Sequence, residues 1–505
     1  MYYQITSAAL QGMDVRLVQV QTDIADGLPI FDMVGLPGSE VREARERVRT
    51  ALRNSGIRLP SKRITVNLSP ADLRKEGTAF DLAIAASVLG GIQAIPPHTN
   101  DCIILGELGL DGAVLPVRGC ISVARMARDA GFGRLILPMK NAQECRLVTD
   151  LPCIGLRNVS ELITYLRKGT EPEEEPDVSE AEVREEPDFS DLCGLEVAKR
   201  AAEIAAAGRH HLLITGPPGA GKTMLARCIP GILPGLSEEE KKVQMELKSL
   251  CGESSRNPER PFRHPDPGIT PGGLLGGGKG IRPGELALAH QGILYLDELP
   301  SYSSQVLTLL RGPMEEGRVT LTRSGSIYEF PADFQLVASM NPCPCGYYPD
   351  RQRCQCTPEQ ILRYRKKADG AFMDRVDLCL TMQPMDFEDI SGRRGSGAPS
   401  SVIRERVRAA WEIQKERYRE EEFHFNSRLP HTKIPEYCKL GPKEEELMER
   451  YFTRFGLSGR GYHKVLKTAR TIADLDGEER IRVRHLKEAV CYRTEDDIPE
   501  GRGQA

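Results

Sequence analysis

Apolar and polar positions alternate along "RLVQVQTDI" (16–24) and "RITVNLS" (63–69), while "CIILGEL" (102–108) and "RLILP" (134–138) are short apolar runs. All four are expected as strands. "VREARERVRTALRNSG" (41–56) switches to helical spacing and meets Gly just past its end. "FDLAIAASVLGGI" (80–92) and "ISVARMARDAGF" (121–132) are apolar enough to be buried helices. Residues 1–168 therefore read as an α/β domain. A second alternation starts with the Ala-rich helix "GLEVAKRAAEIAAAG" (194–208) and the strand "HLLITG" (211–216). It continues through the apolar strands "GILYLDEL" (292–299) and "FQLVASMN" (334–341), a pattern that predicts a parallel α/β core over 191–388. "RVTLTRSGSIYEF" (318–330) alternates about a Ser-Gly turn and reads as a hairpin. After the Gly/Ser-rich break "DISGRRGSGAPSS" (389–401) the chain is helical, with "SVIRERVRAAWEIQKERYREEE" (401–422) the longest segment, so 401–495 is expected as a small helical lid.

Composition changes this picture at one place. Residues 171–188 carry ten acidic side chains and one Arg with almost no apolar residue, so 169–190 is expected to be a linker that cannot offset its ordering entropy by burial. Against the chain's net charge of −4 this segment alone contributes −9, leaving the remainder mildly basic at +5. That balance permits a nucleic-acid partner. No run approaches the roughly 18 apolar residues of a membrane span. The first residues lack the charged and apolar regions of a signal peptide, which points to the cytoplasm. Of 14 cysteines, ten are scattered singly, so a disulfide framework is not expected.

The chemistry begins at "GPPGAGKT": Gly216, Pro217, Pro218, Gly219, Ala220, Gly221, Lys222 and Thr223. This is the G-x-x-x-x-G-K-[ST] loop between a strand and a helix. Its glycines let backbone N–H groups approach phosphate oxygens at a helix N-terminus. Lys222 can reach the β and γ phosphates of ATP, and Thr223 can bind Mg²⁺. At the end of "GILYLDEL", Asp297 is the second expected Mg²⁺ holder and Glu298 the general base for an attacking water. Asn341 ends the next strand, where an amide can orient that water. Directly after it, Cys343, Cys345, Cys354 and Cys356 form two C-x-C pairs eight residues apart. Four thiolates could hold a structural Zn²⁺, although C-x-C is tighter than the usual C-x₂₋₄-C; reduced thiols in a surface loop are the other reading.

The segments "HHLLITGPPGAGKTMLA", "PGELALAHQGILYLDEL", "MNPCPCG" and "ARTIADL" resemble the magnesium-chelatase-like AAA+ ATPases, and within them the ComM/YifB family, over almost the whole chain. The resemblance implies a Lon-protease-like N-terminal domain, an AAA+ P-loop core and a helical lid. It implies that Asn341 is the sensor-1 residue, that Arg375 in "GAFMDRVDL" is an arginine finger entering a neighbour's site, and that Arg460, opening a lid helix, is sensor 2 ahead of Arg470. The alternative for Arg375 is a structural pair with Asp374. A finger acting in trans requires a homo-oligomeric ring, which the resemblance makes a hexamer. Elements such as 262–290 and the 318–330 hairpin would project into its channel, making Lys279 and Arg323 candidate DNA contacts; incidental charge on surface loops is the alternative. The family implies ATP-driven DNA translocation or branch migration during recombination or transformation. The competing function is a chelatase-type motor that remodels a protein partner. Lon's nucleophilic Ser and its partner Lys are replaced by Ala79 and Ile121, so no peptidase activity is expected.

Overall fold

The computed structural model describes residues 1–96, 101–173, 187–278, 280–323, 325–368, 370–384 and 397–493. The first unit is built on a seven-stranded mixed sheet. Its spatial order is Phe31–Val34, Arg63–Ser69, Asp14–Ala25, Tyr2–Gln11, Cys102–Ile104, Arg134–Pro138 and Cys153–Leu156. Alternation along the strands sends successive side chains into different cores. Ile5, Ile104 and Ile136 enter one apolar cluster, while Ala8, Ile103, Leu135 and Leu137 enter another. Helices Ser39–Asn54, Asp81–Gly91 and Val159–Lys168 contribute to the first cluster; Cys120–Asp129 and Met139–Arg146 contribute to the second. Every residue of Asp81–Gly91 is buried. Gly90 permits this, since a Cβ there would stand 2.3 Å from the Tyr3 ring.

The second unit is the expected parallel sheet, with five strands in the order Phe262–Arg263, Ile293–Leu296, Gln335–Met340, Leu212–Thr215 and Leu378–Thr381. Parity again divides its core. Leu212, Ile214, Tyr295 and Val337 belong to a cluster shared with the lid residues Ile403, Val407, Val465, Leu466 and Leu486. Leu213, Leu294, Leu296, Leu336 and Ala338 share the other with helix Ser304–Glu316. The lid comprises Ser400–Arg417, Pro442–Phe455, Gly459–Leu475 and Val483–Cys491, with shorter helical turns between. It is tied to the core by Arg428, which ion-pairs with Asp333, itself 2.9 Å from Arg209.

Two segments differ from expectation. Residues 187–190, read as linker, are packed: Phe189 is fully buried, and the Asp188 carboxylate accepts the backbone N–H of Ser400. One aromatic ring in an acidic run is enough to anchor its end. The acidic residues 174–186 and the Gly/Ser-rich 385–396 lie outside the described residues. The Gly-rich 262–290 is not one open loop. It supplies an edge strand of the sheet, helices Pro271–Leu275 and Glu285–Leu288, and a small antiparallel pair of Gly276–Gly277 with Arg282–Pro283. A Cβ on Gly284 would lie 2.3 Å from the Gly276 backbone nitrogen, so the approach needs glycine.

The two units touch directly. Ser122 donates to Glu246 at 2.7 Å, Arg125 pairs with the same carboxylate at 3.0 Å, and Gly119 N–H donates to Ser249 O at 3.0 Å. The Gly12 turn between the first two strands sits against Tyr328 and Phe330 of the Arg318–Pro331 hairpin, whose two strands are the ones the alternation predicts. Among the described residues no helix is long and apolar enough to cross a membrane.

Candidate functional site

Three adjacent parallel strands, Ile293–Leu296, Gln335–Met340 and Leu212–Thr215, end at the same edge, where ligands of open α/β sheets bind. Each delivers one of the predicted groups. Gly216–Gly221 turns tightly, with Gly219 and Gly221 in the left-handed region at φ 78° and 84°, and leads into helix Lys222–Cys228. The Lys222 ammonium donates to Gly216 O at 2.7 Å, to Pro217 O at 3.0 Å and to the Asn341 Oδ1 at 3.0 Å. Burial holds its pKa below the usual lysine value, against the opposing charges of Asp297 and Glu298. The amide expected near the γ-phosphate and the lysine expected on the phosphates therefore meet.

Thr223 donates to Asp297 Oδ2 at 3.3 Å. The opposite oxygen, Oδ1, accepts from Tyr295 OH at 2.9 Å, from the Glu298 backbone N–H at 3.1 Å and from Ser339 Oγ. Burial works against ionisation of Asp297, but the hydrogen bonds from Ser339, Tyr295, the Glu298 backbone and Thr223 together hold the carboxyl below its ordinary range. Asp297 is thus an anion with one oxygen saturated and the other turned to the Thr223 hydroxyl, a donor set suited to a hard divalent cation such as Mg²⁺. Glu298 follows at φ 50° with an exposed side chain, its carboxylate accepting a 3.4 Å bond from Ser301. A left-handed non-glycine residue at this turn carries the carboxylate out beyond the strand end.

Ser339 and Tyr295 are the functional residues that the sequence reading missed. Each lies two residues before a predicted site residue, Asn341 and Asp297. On a strand that spacing places it on the same face.

Arg375 and Arg460 are brought together elsewhere. Arg375 pairs with Glu315 at 2.9 Å and donates to Arg311 O at 3.2 Å. Arg460, two-thirds exposed, pairs at 3.4 Å with Asp374, the residue beside Arg375. Arg470 is enclosed in its own lid by Asp474 and the carbonyls of Glu478 and Glu479. Arg323, at the hairpin tip, is exposed and donates to Gly278 O. Lys279 lies outside the described residues.

In the N-terminal unit, Ala79 and Ile121 belong to one apolar cluster, and Thr78 donates to Glu107 at 2.5 Å. The four clustered cysteines converge, with all four Sγ atoms within 4.8 Å of one another. The Tyr347 backbone N–H holds the Cys345 thiol down to about 6.

Residues 188–390 match the family "Magnesium chelatase, subunit ChlI", 20–141 match "Subunit ChlI of Mg-chelatase", and 397–493 match "Magnesium chelatase, subunit ChlI C-terminal". The YifB protein of Salmonella typhimurium is 40% identical over 498 residues, covering 98% of this chain and 97% of the relative. The competence protein ComM of Haemophilus influenzae is 39% identical over 500 residues, covering 97% of each chain. The magnesium-chelatase 67 kDa subunit of Chlorobaculum parvum is 30% identical over 158 residues, 30% of this chain and 23% of that one. With a P-loop, an acidic strand end and a polar strand end converging on one sheet edge, and with full-length relatives on both sides of the name, the chain belongs to the ComM/YifB family of magnesium-chelatase-like AAA+ proteins.

Proposed function

We propose that the chain hydrolyses ATP at this edge as one protomer of a ring, and that turnover drives movement along DNA. The observation that carries the hydrolytic reading is the linked set Thr223–Asp297 and Lys222–Asn341, with the exposed Glu298 carboxylate beside it. Lys222 gives its ammonium to the β and γ phosphates in place of the carbonyls it now holds. Thr223 and Asp297 hold Mg²⁺, which supplies charge neutralisation on the phosphates. Glu298 takes the proton of the attacking water, and Asn341 orients that water.

The two remaining cations serve the next protomer. Arg375 and Arg460 share the Asp374–Arg375 turn, and the acids that hold them, Glu315 and Asp374, are about half exposed. A neighbour's γ-phosphate competes for both guanidiniums, which makes the catalytic unit a ring in this reading.

DNA as the track is supported by the +5 balance of the chain outside its acidic segment and by the likeness to a competence protein. The second reading, a chelatase-type motor acting on a protein partner, is favoured by the three chelatase family matches. One experiment separates them: ATP turnover with and without branched or single-stranded DNA. Stimulation by DNA that weakens steeply with salt supports the motor on DNA; indifference to DNA overturns it. Glu298→Gln retains ATP binding and loses turnover; brisk hydrolysis by that variant removes Glu298 as the base.

A further inference from the structure

The cysteine loop is too small to hold its shape by burial. Its apolar cluster has three buried members, Cys343, Cys354 and Ile361. A segment with so little core needs a staple. The sulfurs supply the place for one. Cys343 Sγ lies 3.4 Å from Cys345 Sγ and 3.7 Å from Cys354 Sγ, and Cys345 Sγ lies 3.6 Å from Cys354 Sγ. Zn²⁺ bonded to four thiolates at about 2.3 Å has sulfur–sulfur edges of about 3.8 Å. A disulfide would require about 2.05 Å. The backbone shapes the loop around the sulfurs: Tyr348 N–H points at Cys343 Sγ at 3.4 Å, and Cys354 N–H closes a turn on Asp350 O at 2.7 Å. Arg353 stacks on Tyr347 at 4.1 Å, and Arg351 and Arg365 lie over Tyr348, clamping the loop from outside.

This loop rests on the phosphate loop. Gly346, at φ 87°, lies so close to Pro218 that a Cβ would meet its ring at 2.5 and 2.8 Å. Asn341, two residues before Cys343, touches Lys222, and Arg365 donates to Pro342 O at 3.4 Å. Pro218, Gly346, Asn341 and Lys222 are therefore one continuous set of contacts, with the thiols at its outer end.

We propose that Cys343, Cys345, Cys354 and Cys356 hold one zinc ion, and that this ion positions the phosphate loop through the seat of Gly346 on Pro218. The second half rests on the reading of Gly216–Thr223 as the ATP site; the first does not. Protein purified without added metal is analysed for zinc, and a fluorescent ATP analogue is titrated onto the same samples. The expected values are one zinc per chain for the natural protein, none for a Cys354→Ser, Cys356→Ser variant, and at least tenfold weaker nucleotide binding in that variant. Gly346→Ala leaves every thiol in place, so it keeps its zinc and its fold by circular dichroism while losing nucleotide affinity. Natural protein with zinc near zero overturns the metal site. Full zinc with unchanged affinity in Gly346→Ala overturns the positioning role. Full zinc in a natural protein that binds no nucleotide overturns the ATP reading, and the positioning role with it, while leaving the metal site standing.

Discussion

Ser339 gives the sharpest test of the acidic strand end. Its hydroxyl donates to Asp297 Oδ1 and accepts the Glu298 backbone N–H at 3.3 Å, so it fixes both carboxylates expected to act on ATP. A hydrogen bond to a charged acceptor contributes about 1.5–3 kcal/mol, or about 10- to 150-fold in an equilibrium. Two donors to the same oxygen survive in Ser339→Ala, Tyr295 OH at 2.9 Å and Glu298 N–H at 3.1 Å, which puts the loss at the low end. The Mg²⁺ concentration giving half-maximal ATP turnover is therefore expected to rise about tenfold, in the range of outer-shell effects at metal sites. Adding Tyr295→Phe removes the second hydroxyl and takes the shift to about 100-fold. The assay is steady-state hydrolysis titrated with Mg²⁺ at fixed ATP, alongside nucleotide binding in chelator. The two variants should bind nucleotide normally without Mg²⁺. An unchanged Mg²⁺ midpoint in the double variant would show that Asp297 does not hold the cation, whatever happens to the maximal rate.

Three further outcomes are expected. Arg375→Ala and Lys222→Ala chains are each inactive alone, yet mixed in one ring they recover part of the turnover, because some boundaries then pair an intact cradle with an intact guanidinium; no recovery on mixing refutes action in trans. His211 is buried and His290 half-buried, their rings accept the backbone N–H groups of Leu336 and Asp333, and desolvation pushes both pKa values down to about 4. Unfolded histidine binds a proton near 6.5, so stability is full above that pH and falls as pH drops toward 4, by about 2 kcal/mol per histidine between pH 7 and 5; urea midpoints flat over that window refute it. Gly90→Ala drives a methyl into the Tyr3 ring and is expected to cost the N-terminal unit about 3 kcal/mol, read as a lowered urea midpoint; wild-type stability would show that the ring yields freely.

The parts legible from residue pattern are those where one physical demand dominates. Arg63–Ser69 alternates because one face is core, and its bounds match the reading. Tyr2–Gln11 was missed although it pairs with Asp14–Ala25 at ten positions. Its middle, Thr-Ser-Ala-Ala, is made of small residues, with Ala9 in the cluster of helix Asp81–Gly91 and Ala8 in the cluster on the other face, and small residues carry no strand signature. Lys222, Asp297 and Asn341 could be read because a loop motif and polar residues ending apolar runs are conspicuous. Ser339 and Tyr295 could not, since a hydroxyl inside a buried strand looks like any tolerated polar residue until its partner is known. Phe189 was concealed by the acidic residues around it, and its partner Ser400 is more than two hundred positions away.

The seat of the Gly12 turn on the 318–331 hairpin ties the two halves of the molecule mechanically. The hypothetical Cβ at Gly12 is 3.3 Å from Tyr328, and Phe330 is packed among Leu247, Leu250 and Ala287. Close-packed interfaces shift between discrete arrangements and do not stretch. A stroke that displaced the foot of this hairpin would have to carry the amino-terminal sheet along or break that seat outright. Under the proposed reading of the chain as a motor, its front is cargo of the cycle, and that load enters the work of every stroke.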